Sequence, residues 1–469
     1  MREPAGLPFP DLPDAPRDER LTWVPAVQIS EMIHNRQVSP VEVARHFLDR
    51  IDALNPLLNA FADVDHADVL AQARAAEKAV MTGASLGPLH GIPVATKLPL
   101  AIKDKPWSDL TAGKTVIAER DSVEIERLRD AGAILLGPTS AGINLTNDPD
   151  YQPIRNPWNT DRTCGISSGG SACAVGAGMA PVAIGGDGYG STRLPAAFCG
   201  AIGLHLTKGR VPSFEWGTLN SRPFTTYGPI ARDVRDAAIV LAQLARPDGR
   251  DLTCLQGDPP DYVTDIGRGV DGVRLAWTPD FGYVRKYAVP ETDRVIATVR
   301  RALSRLEPAG ARIDELDLPF EEPIWALNQW TAMDPALGAN DVFHFTGPSR
   351  EDMIGARAVR ERVWKQFRAI TDTHDFIVTP TILEIAPTHA DWDREGLSPD
   401  FSGIFVAMTA VANFLGWPAI SVPAGFVDGL PVALQVIGRP DSEPGLFRVV
   451  QAFLNVQHSS GRTSHETSH

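Results

Sequence analysis

The chain has 469 residues, of which 43% are hydrophobic and 22% charged, and its formal net charge at pH 7 is −14. This hydrophobic content supports a sizeable core and excludes wholesale disorder, and the length fits one large α/β domain or two to three ordinary ones. The acidic balance, with no block of Lys and Arg, argues against nucleic acid or an anionic membrane as the main partner.

The cysteines predict a protein of a reducing compartment. The long uncharged segment near the C-terminus predicts a soluble protein, because Pro and Gly interrupt it. Cys164, Cys173, Cys199 and Cys254 form no C-x-x-C pair, and no signal peptide precedes them. We therefore expect neither a zinc site nor a disulfide framework, and we expect a cytoplasmic protein without metal or cofactor. Residues 405–426 carry no charge, but Pro and Gly interrupt them, which predicts buried strands with a turn rather than a transmembrane helix.

Apolar periodicity predicts the elements in chain order. After a Pro-rich, charged arm at 1–20, it predicts helices at 27–33, 41–54 and 66–81, the second one capped by Ser39 with Pro40 at its first position. Further helices are predicted at 123–131 and 233–244, and strands at 133–137, 376–380, 419–423 and 434–437. Residues 457–469 are polar and expected to be disordered. This alternation predicts a layered α/β fold.

The stretch 162–195 is the strongest candidate for a catalytic site in the sequence. It holds two Gly/Ser clusters, at 165–171 and 185–191, and no charged side chain lies between residues 163 and 186. Gly permits tight turns, and small side chains let backbones approach each other. A serine beside several backbone N–H groups suits acyl transfer, because those donors can bind the developing oxyanion. The alternative is a Gly-rich structural turn with incidental serines.

Two other site types compete for this stretch. Residues 165–169 fit G-x-S-x-G, the nucleophile elbow of α/β-hydrolases, with Ser167 as nucleophile, His90-Gly91 as oxyanion segment and His374 in the right chain order. That interpretation leaves Lys97 and the second cluster unexplained. A phosphate or dinucleotide loop is disfavoured, because the sequence has no G-x-x-x-x-G-K-[ST] and neither cluster completes G-x-G-x-x-G in the required context.

Ordered sequence blocks from about residue 88 to 439 resemble the amidase signature family. They are RNPWN at 155–159, SSGGS at 167–171, GS at 190–191, LPAAFCG at 194–200, GPIAR at 228–232 and GLPVALQVIG at 429–438. The resemblance implies one large α/β domain with a mixed central sheet flanked by helices. It also implies an N-terminal arm and helices packing on the core (1–85), a catalytic domain (86–456) with a variable, substrate-facing region at about 245–400, and a polar tail (457–469).

The resemblance further implies a Ser-Ser-Lys triad. Ser191 matches the nucleophile, Ser167 the serine that follows a cis peptide and relays the proton, and Lys97 the base. A serine hydroxyl needs a base to become nucleophilic, and a lysine can serve only when neutral, which desolvation favours. The oxyanion donors would be the N–H groups of Gly188, Tyr189, Gly190 and Ser191. Ser168, Asp187 and Arg193 would support the loops.

Several positions depart from the family pattern. Lys97 is followed by Leu98-Pro99 rather than Asp, and Lys103-Asp104 imitates the family's Lys-Asp pair without its spacing. Ile166 stands where Gly is usual, and Tyr189 replaces a small residue, so its ring could lie over the leaving group.

The expected substrates are small hydrophobic amides or carbamates (urethanes), since the region 245–400 and its flank are rich in large aromatic residues. These are Trp325, Trp330, Phe343, Phe345, Phe401 and Phe405. A glutamine-hydrolysing amidotransferase subunit of the same family is the main alternative, and an inactive amidase fold kept for binding is another. We expect no nucleic-acid or membrane partner, and a homodimer is compatible with the sequence.

Overall fold

The computed structural model describes residues 9–12, 15, 16, 18–98, 100–109, 114–142, 151–213, 223–316, 319–333, 347–395 and 405–465. The helices of this part of the chain are α1 (Ala26–His34), α2 (Pro40–Leu58), α3 (His66–Thr82), α4 (Val123–Asp130), α5 (Gly169–Gly176), α6 (Arg193–Cys199), α7 (Val234–Leu244), α8 (Thr292–Leu303), α9 (Ile324–Thr331), α10 (Arg350–Thr371), α11 (His389–Glu395), α12 (Ala410–Leu415) and α13 (Glu443–His465). Short 3₁₀ turns span Val284–Tyr287 and Ser304–Ala309.

The strands are β1 (Pro93–Lys97), β2 (Pro106–Asp109), β3 (Lys114–Ile117), β4 (Ile134–Thr139), β5 (Arg155–Asn156), β6 (Asn159–Thr163), β7 (Val182–Asp187), β8 (Ile202–His205), β9 (Thr226–Ala231), β10 (Arg274–Trp277), β11 (Arg312–Glu315), β12 (Phe376–Pro380), β13 (Ala419–Val427) and β14 (Leu430–Ile437). Ten of them form one sheet in the order β11-β10-β12-β14-β13-β8-β9-β7-β1-β4. Its ends are parallel and its middle antiparallel. The predicted mixed α/β sheet flanked by helices is confirmed.

The predicted helix starts and strands appear close to their expected places. Ser39 accepts a hydrogen bond from the N–H of Glu42, whose side chain accepts from the N–H of Ser39, and Pro40 occupies the first helical position of α2. This capping box satisfies two N–H groups that a helix start otherwise leaves unpaired. The same core contains Ile33 and Phe47 of the N-terminal helices and Val94 of β1.

Helices α5 and α6 pack very closely, which explains the small residues of the stretch 162–195. Every residue of α5 is buried. A Cβ atom added to Gly176 would lie 2.5 Å from the carbonyl oxygen of Cys199, so only glycine fits there. This close packing brings the turns that precede the two helices to the same edge of the sheet.

Two expectations near the C-terminus need correction. The uncharged segment 405–426 forms α12 and then β13, rather than strands joined by a turn. Among the described residues, no helix has the length and apolarity to cross a membrane. The tail expected to be disordered from 457 continues α13 to His465, because an established helix gains one hydrogen bond for each residue added. Residues 466–469 lie outside the described part.

The aromatic residues of the predicted substrate-facing region fall into several environments. Phe405 is buried and contacts Trp392 edge to face, with ring centroids 4.8 Å apart. Trp330 is partly buried, whereas Trp325 is exposed. Phe343, Phe345 and Phe401 lie outside the described residues.

Candidate active site

Parallel strands bring Lys97 and the second Gly/Ser cluster together. β1 pairs in parallel with β7, so both carboxyl ends meet at one edge of the sheet. Lys97 ends β1, and residues 188–191 follow β7. The Lys97 side chain is buried, and its Nζ lies 2.7 Å from Ser167 Oγ, 2.9 Å from Ser168 Oγ and 3.1 Å from the Gly186 carbonyl oxygen. Lys103, the competing lysine, is exposed.

A continuous chain of polar groups joins the predicted triad residues. Ser167 Oγ lies 2.5 Å from Ser191 Oγ and, on its other side, contacts Lys97 Nζ. Ser191 is only 6% exposed and Ser167 is half-buried. These distances are short enough to pass a proton from Ser191 through Ser167 to Lys97. The structure therefore brings together the three side chains that the sequence predicted.

The backbone before Ser167 differs from the expectation. All peptide bonds of the described residues are trans, so the cis bond implied by the family resemblance is not present between Ile166 and Ser167. A cis bond before a residue other than proline costs about 3–4 kcal/mol, and the branched side chain of Ile166 adds crowding. Ser167 makes its contacts with Lys97 and Ser191 in the trans geometry.

Ser168 and Ser171 attach α5 to β7. The Ser168 hydroxyl donates to the carbonyl of Gly186 (3.2 Å) and accepts from its N–H (3.1 Å). Ser171 donates to the carbonyl of Ile184 at 2.9 Å. Both side chains are fully buried. They fix the start of α5, and with it Ser167, against the strand that leads to Ser191.

Asp187 and Arg193 form a fully buried ion pair inside the second loop. Arg193 Nε and Nη2 donate to the two carboxylate oxygens of Asp187 at 2.9 and 3.0 Å. Burial alone would raise the pKa of Asp187, but the adjacent charge of Arg193 and the hydrogen bonds outweigh it, so the pKa is lowered. The ionised carboxylate accepts from the N–H of Gly190 at 2.7 Å. The predicted supporting pair thus shapes the turn that ends in Ser191.

Three residues of this network were missed by the sequence predictions. Arg193 also donates to Gln435 Oε1 (2.6 Å), Asn413 Oδ1 (2.6 Å) and the carbonyl of Thr409 (3.0 Å). Thr409, Asn413 and Gln435 are polar residues within apolar segments, and all three are buried. Buried polar side chains need partners, so their position inside such segments was the available signal.

The four predicted oxyanion donors are not equivalent. The N–H of Gly190 is occupied by Asp187. Among the residues that the structure describes, no protein acceptor is bound to the N–H groups of Gly188, Tyr189 or Ser191. Gly190 has φ +119°, and a Cβ atom there would lie 2.0 Å from Thr409 Oγ1. The backbone of this loop therefore requires glycine at 190, and three N–H groups remain to bind a ligand.

The Tyr189 side chain extends to α9. Its hydroxyl lies 2.6 Å from Thr331 Oγ1 and 3.1 Å from Asn328 Oδ1. Burial raises the pKa of this phenol, so it stays protonated and able to donate a hydrogen bond. Its ring, like that of Trp330, packs against the large apolar cluster that contains Phe224. The ring is thus directed to α9 and is held there by its hydroxyl.

The nucleophile-elbow alternative is wrong. Ser167 follows β6, which pairs only with β5 among the described strands and lies outside the central sheet. His374 lies before β12, and its Nε2 is 3.0 Å from Asp314 of the edge strand β11. His90 Nε2 contacts the carbonyl of Ala76. Ser167 contacts Lys97 and Ser191 instead of a histidine. Among the described residues, no group of three or more His, Cys, Asp or Glu is placed to hold a metal ion.

Comparison with known proteins gives consistent matches over almost the whole chain. A sequence model of the Amidase family matches residues 42–342 and 346–447. An acylamidase from Rhodococcus erythropolis is 32% identical over 481 residues, spanning 93% of this chain and 96% of that protein. A glutamyl-tRNA(Gln) amidotransferase subunit from Moorella thermoacetica is 31% identical over 484 residues, spanning 92% and 96%. The crystal structure of a bacterial aryl acylamidase of the amidase signature enzymes superposes with a TM-score of 0.82 and 26% identity, covering 95% of this chain and 99% of that one.

Proposed function

Because this chain belongs to the amidase signature family, we propose that it hydrolyses the C–N bond of small hydrophobic amides or carbamates through a covalent intermediate on Ser191. The observation that carries the proposal is the chain Lys97–Ser167–Ser191, with contacts of 2.7 and 2.5 Å. In this chain Ser191 would be the nucleophile, Ser167 the proton relay and Lys97 the base. They lie beside backbone N–H groups that, among the described residues, bind no protein acceptor.

The reaction starts with proton transfer. Neutral Lys97 takes the proton of Ser167 as Ser167 takes that of Ser191, and Ser191 Oγ attacks the carbonyl carbon. The carbonyl electron pair moves to oxygen, where loop N–H groups stabilise the negative charge. Collapse of this intermediate breaks the C–N bond, and the leaving amine receives the proton through Ser167. Water, deprotonated by the same relay, then releases the carboxylic acid from the acyl-enzyme that an amide forms and restores Ser191. After C–N cleavage a carbamate leaves an alkoxycarbonyl group on Ser191 instead, and its hydrolysis releases a carbonic acid monoester that loses CO2.

An aromatic cluster next to the loop supports a hydrophobic substrate. Phe224 and Trp330 pack edge to face with ring centroids 6.1 Å apart. Tyr189 and Trp330 both pack against the large apolar cluster that contains Phe224. Tyr189 is two residues from Ser191, so apolar surface begins within reach of the reacting carbonyl. Aromatic surface of this kind stabilises bulky acyl or aryl groups through burial. The similarity to an acylamidase and to an aryl acylamidase supports an amide as substrate.

Glutamine hydrolysis is the second candidate function. It is supported by the match to the glutamyl-tRNA(Gln) amidotransferase subunit of Moorella thermoacetica over 92% of this chain. The same relay would form a glutamyl-enzyme on Ser191 and release ammonia. The aromatic cluster beside Tyr189 favours a hydrophobic amide over glutamine. The cytoplasmic location, the absence of a nucleic-acid or membrane partner and a homodimer remain predictions of the sequence.

Turnover of matched substrates tests the function. An aryl amide, the corresponding aryl carbamate and glutamine would be assayed with the native protein and with Ser191→Ala. We expect hydrolysis of at least one of the two aryl substrates, little with glutamine, and loss of activity in Ser191→Ala. Ser421→Ala, which removes an equally buried hydroxyl on β13, should stay active. Efficient glutamine hydrolysis alone would favour the second candidate, and an active Ser191→Ala would contradict both.

A further inference from the structure

The orientation of each peptide group between Asp187 and Ser191 decides which N–H groups face a substrate. In a planar trans peptide the C=O and N–H bonds point in opposite directions. A hydrogen bond that holds a carbonyl oxygen inside the protein therefore turns the N–H of the next residue the other way. The described residues contain only trans peptides, so the carbonyl partners of this loop indicate its outward-facing donors.

Two of these peptides have an anchored carbonyl and an unoccupied N–H. Asn413 Nδ2 donates to the carbonyl of Asp187 at 2.9 Å, and the N–H of Gly188 belongs to that peptide. The N–H of Leu194 donates to the carbonyl of Gly190 at 2.8 Å, and the N–H of Ser191 belongs to that one. Both anchors lie on the protein side of the loop, so both N–H groups point away from it.

The peptide between Tyr189 and Gly190 is held at both ends. Thr409 Oγ1 donates to the carbonyl of Tyr189 at 2.6 Å, and the N–H of Gly190 donates to Asp187 at 2.7 Å. This peptide offers no donor to a ligand. It acts as the fixed link between the two peptides that do, because its plane sets the direction in which the chain enters Ser191.

We propose that Thr409 and Asn413 are positioning residues for catalysis, which orient the N–H groups of Gly188 and Ser191 as the principal oxyanion donors. The inference rests on the proposed function. Thr409 immediately precedes α12, Asn413 lies within it, and both side chains are fully buried. The other end of the helix is fixed by Arg360, whose Nε donates to the carbonyl of Phe414 at 2.8 Å. Helix α12 thus holds the loop through its carbonyl groups, on the side opposite the N–H groups of Gly188 and Ser191.

The first test is a pair of substitutions at one position. Thr409→Val keeps the side-chain shape and removes the donor to Tyr189, whereas Thr409→Ser keeps the donor. We expect kcat to fall about 10- to 100-fold in Thr409→Val with little change in KM, because the lost orientation matters only when charge develops on the carbonyl oxygen. Thr409→Ser should remain within about threefold of the native kcat. Asn413→Ala should show the same selective loss of kcat.

A transition-state mimic separates orientation from general destabilisation. A trifluoromethyl ketone forms a hemiketal oxyanion on the serine, so its affinity should fall in parallel with kcat/KM in Thr409→Val, while the affinity of the product acid stays unchanged. Thr371→Val, which removes an equally buried hydroxyl from α10, is the control for stability. It should lower the melting temperature to a similar extent and leave kcat and inhibitor affinity intact.

The outcomes distinguish this inference from the proposed function. Native kcat and inhibitor affinity in Thr409→Val, together with an inactive Ser191→Ala, would overturn the positioning role and leave the nucleophile in place. Equal losses in Thr409→Val and Thr409→Ser would also overturn it, since the retained hydroxyl would then be irrelevant. Full activity of Ser191→Ala would instead contradict the proposed function itself.

Discussion

At the scale of single residues, Lys97 has the most demanding role. In the proposed reaction its amine accepts a proton, and it is buried among the hydroxyls of Ser167 and Ser168 and the carbonyl of Gly186. Its position at the end of β1 is fixed by parallel neighbours on both sides. Lys97 is thus held by the central sheet, which keeps its Nζ within hydrogen-bond distance of Ser167 Oγ.

Removal of the Lys97 amine should abolish most of the activity. Lys97→Met keeps a chain of similar length and apolar character but has no base, and we expect kcat to fall about 10²- to 10⁴-fold, the usual contribution of a positioned base. Steady-state kinetics on the best aryl substrate would measure it. Lys103→Met is the matched control, because Lys103 is exposed and should be replaceable without loss. The opposite pattern would move the base to Lys103.

At the scale of elements, the loop at residues 187–191 contacts α9 through the side chain of Tyr189. The Tyr189 hydroxyl contacts Thr331 and Asn328, so α9 cannot shift without disturbing the residue that lies two positions before Ser191. Helix α12 holds the same loop through Thr409 and Asn413. The loop therefore lies between two helices, one within the predicted substrate-facing region and one behind the loop.

Loss of the Tyr189 hydroxyl should alter substrate selection. In Tyr189→Phe we expect the free energy of unfolding to fall by about 1 kcal/mol, because Thr331 and Asn328 lose a buried partner. Selectivity between phenylacetyl and acetyl anilides should decrease severalfold, because α9 is no longer held against the loop. Ratios of kcat/KM would show it. Tyr287→Phe, which removes a hydroxyl bound to Glu322, is the control, and identical selectivity in all three proteins would exclude this role.

Local elements could be predicted from the sequence, whereas their long-range partners could not. The start of α2 follows from Ser39 and Pro40, which act within one turn of helix. The residues Asn413 and Gln435 that bind Arg193 are separated from it by 220 and 242 positions. No local pattern encodes such contacts, so the loop network emerged only from the folded chain. The triad residues could be predicted because the sequence blocks around them resemble those of the amidase signature family.

At the scale of the whole molecule, stability should depend on the buried His205 of β8. Burial lowers the pKa of His205 from 6.5 to about 4, although the charge of Asp187 acts in the opposite direction. The folded-state pKa lies below the unfolded one. The contribution of neutral His205 to stability is therefore fully present above pH 6.5 and is lost as the pH falls through about 4.

Acid titration of unfolding would measure this effect. We expect the free energy of unfolding to drop by up to about 3 kcal/mol from this group as the pH falls through that window. Other groups titrate in the same range. The free energy of unfolding would therefore be measured by urea denaturation at each pH, and its dependence on pH compared between the native protein and His205→Gln. A smaller slope in His205→Gln would support the assignment, and an equal slope would contradict it.

The sheet order explains why a single large domain can build this site. β1 and β7 are neighbours in the sheet although 85 residues separate Lys97 from Val182. Their parallel carboxyl ends place Lys97 beside the loop that carries Ser191, and β14, four strands from β7 in the same sheet, supplies Gln435 to the same network. The site therefore depends on the assembled sheet, because its parts extend along the chain from Lys97 to Gln435.

The most direct test of the central claim is to trap the covalent intermediate and locate it. The native protein would be mixed with an O-aryl carbamate, whose phenol leaves on attack and whose carbamoyl group then stays on the serine because it is hydrolysed slowly. The protein would be digested and analysed by mass spectrometry. We expect the carbamoyl mass on the peptide that contains Ser191, with no such adduct in Ser191→Ala. An adduct on Ser167 that persists in Ser191→Ala would contradict the assignment of Ser191 as the nucleophile.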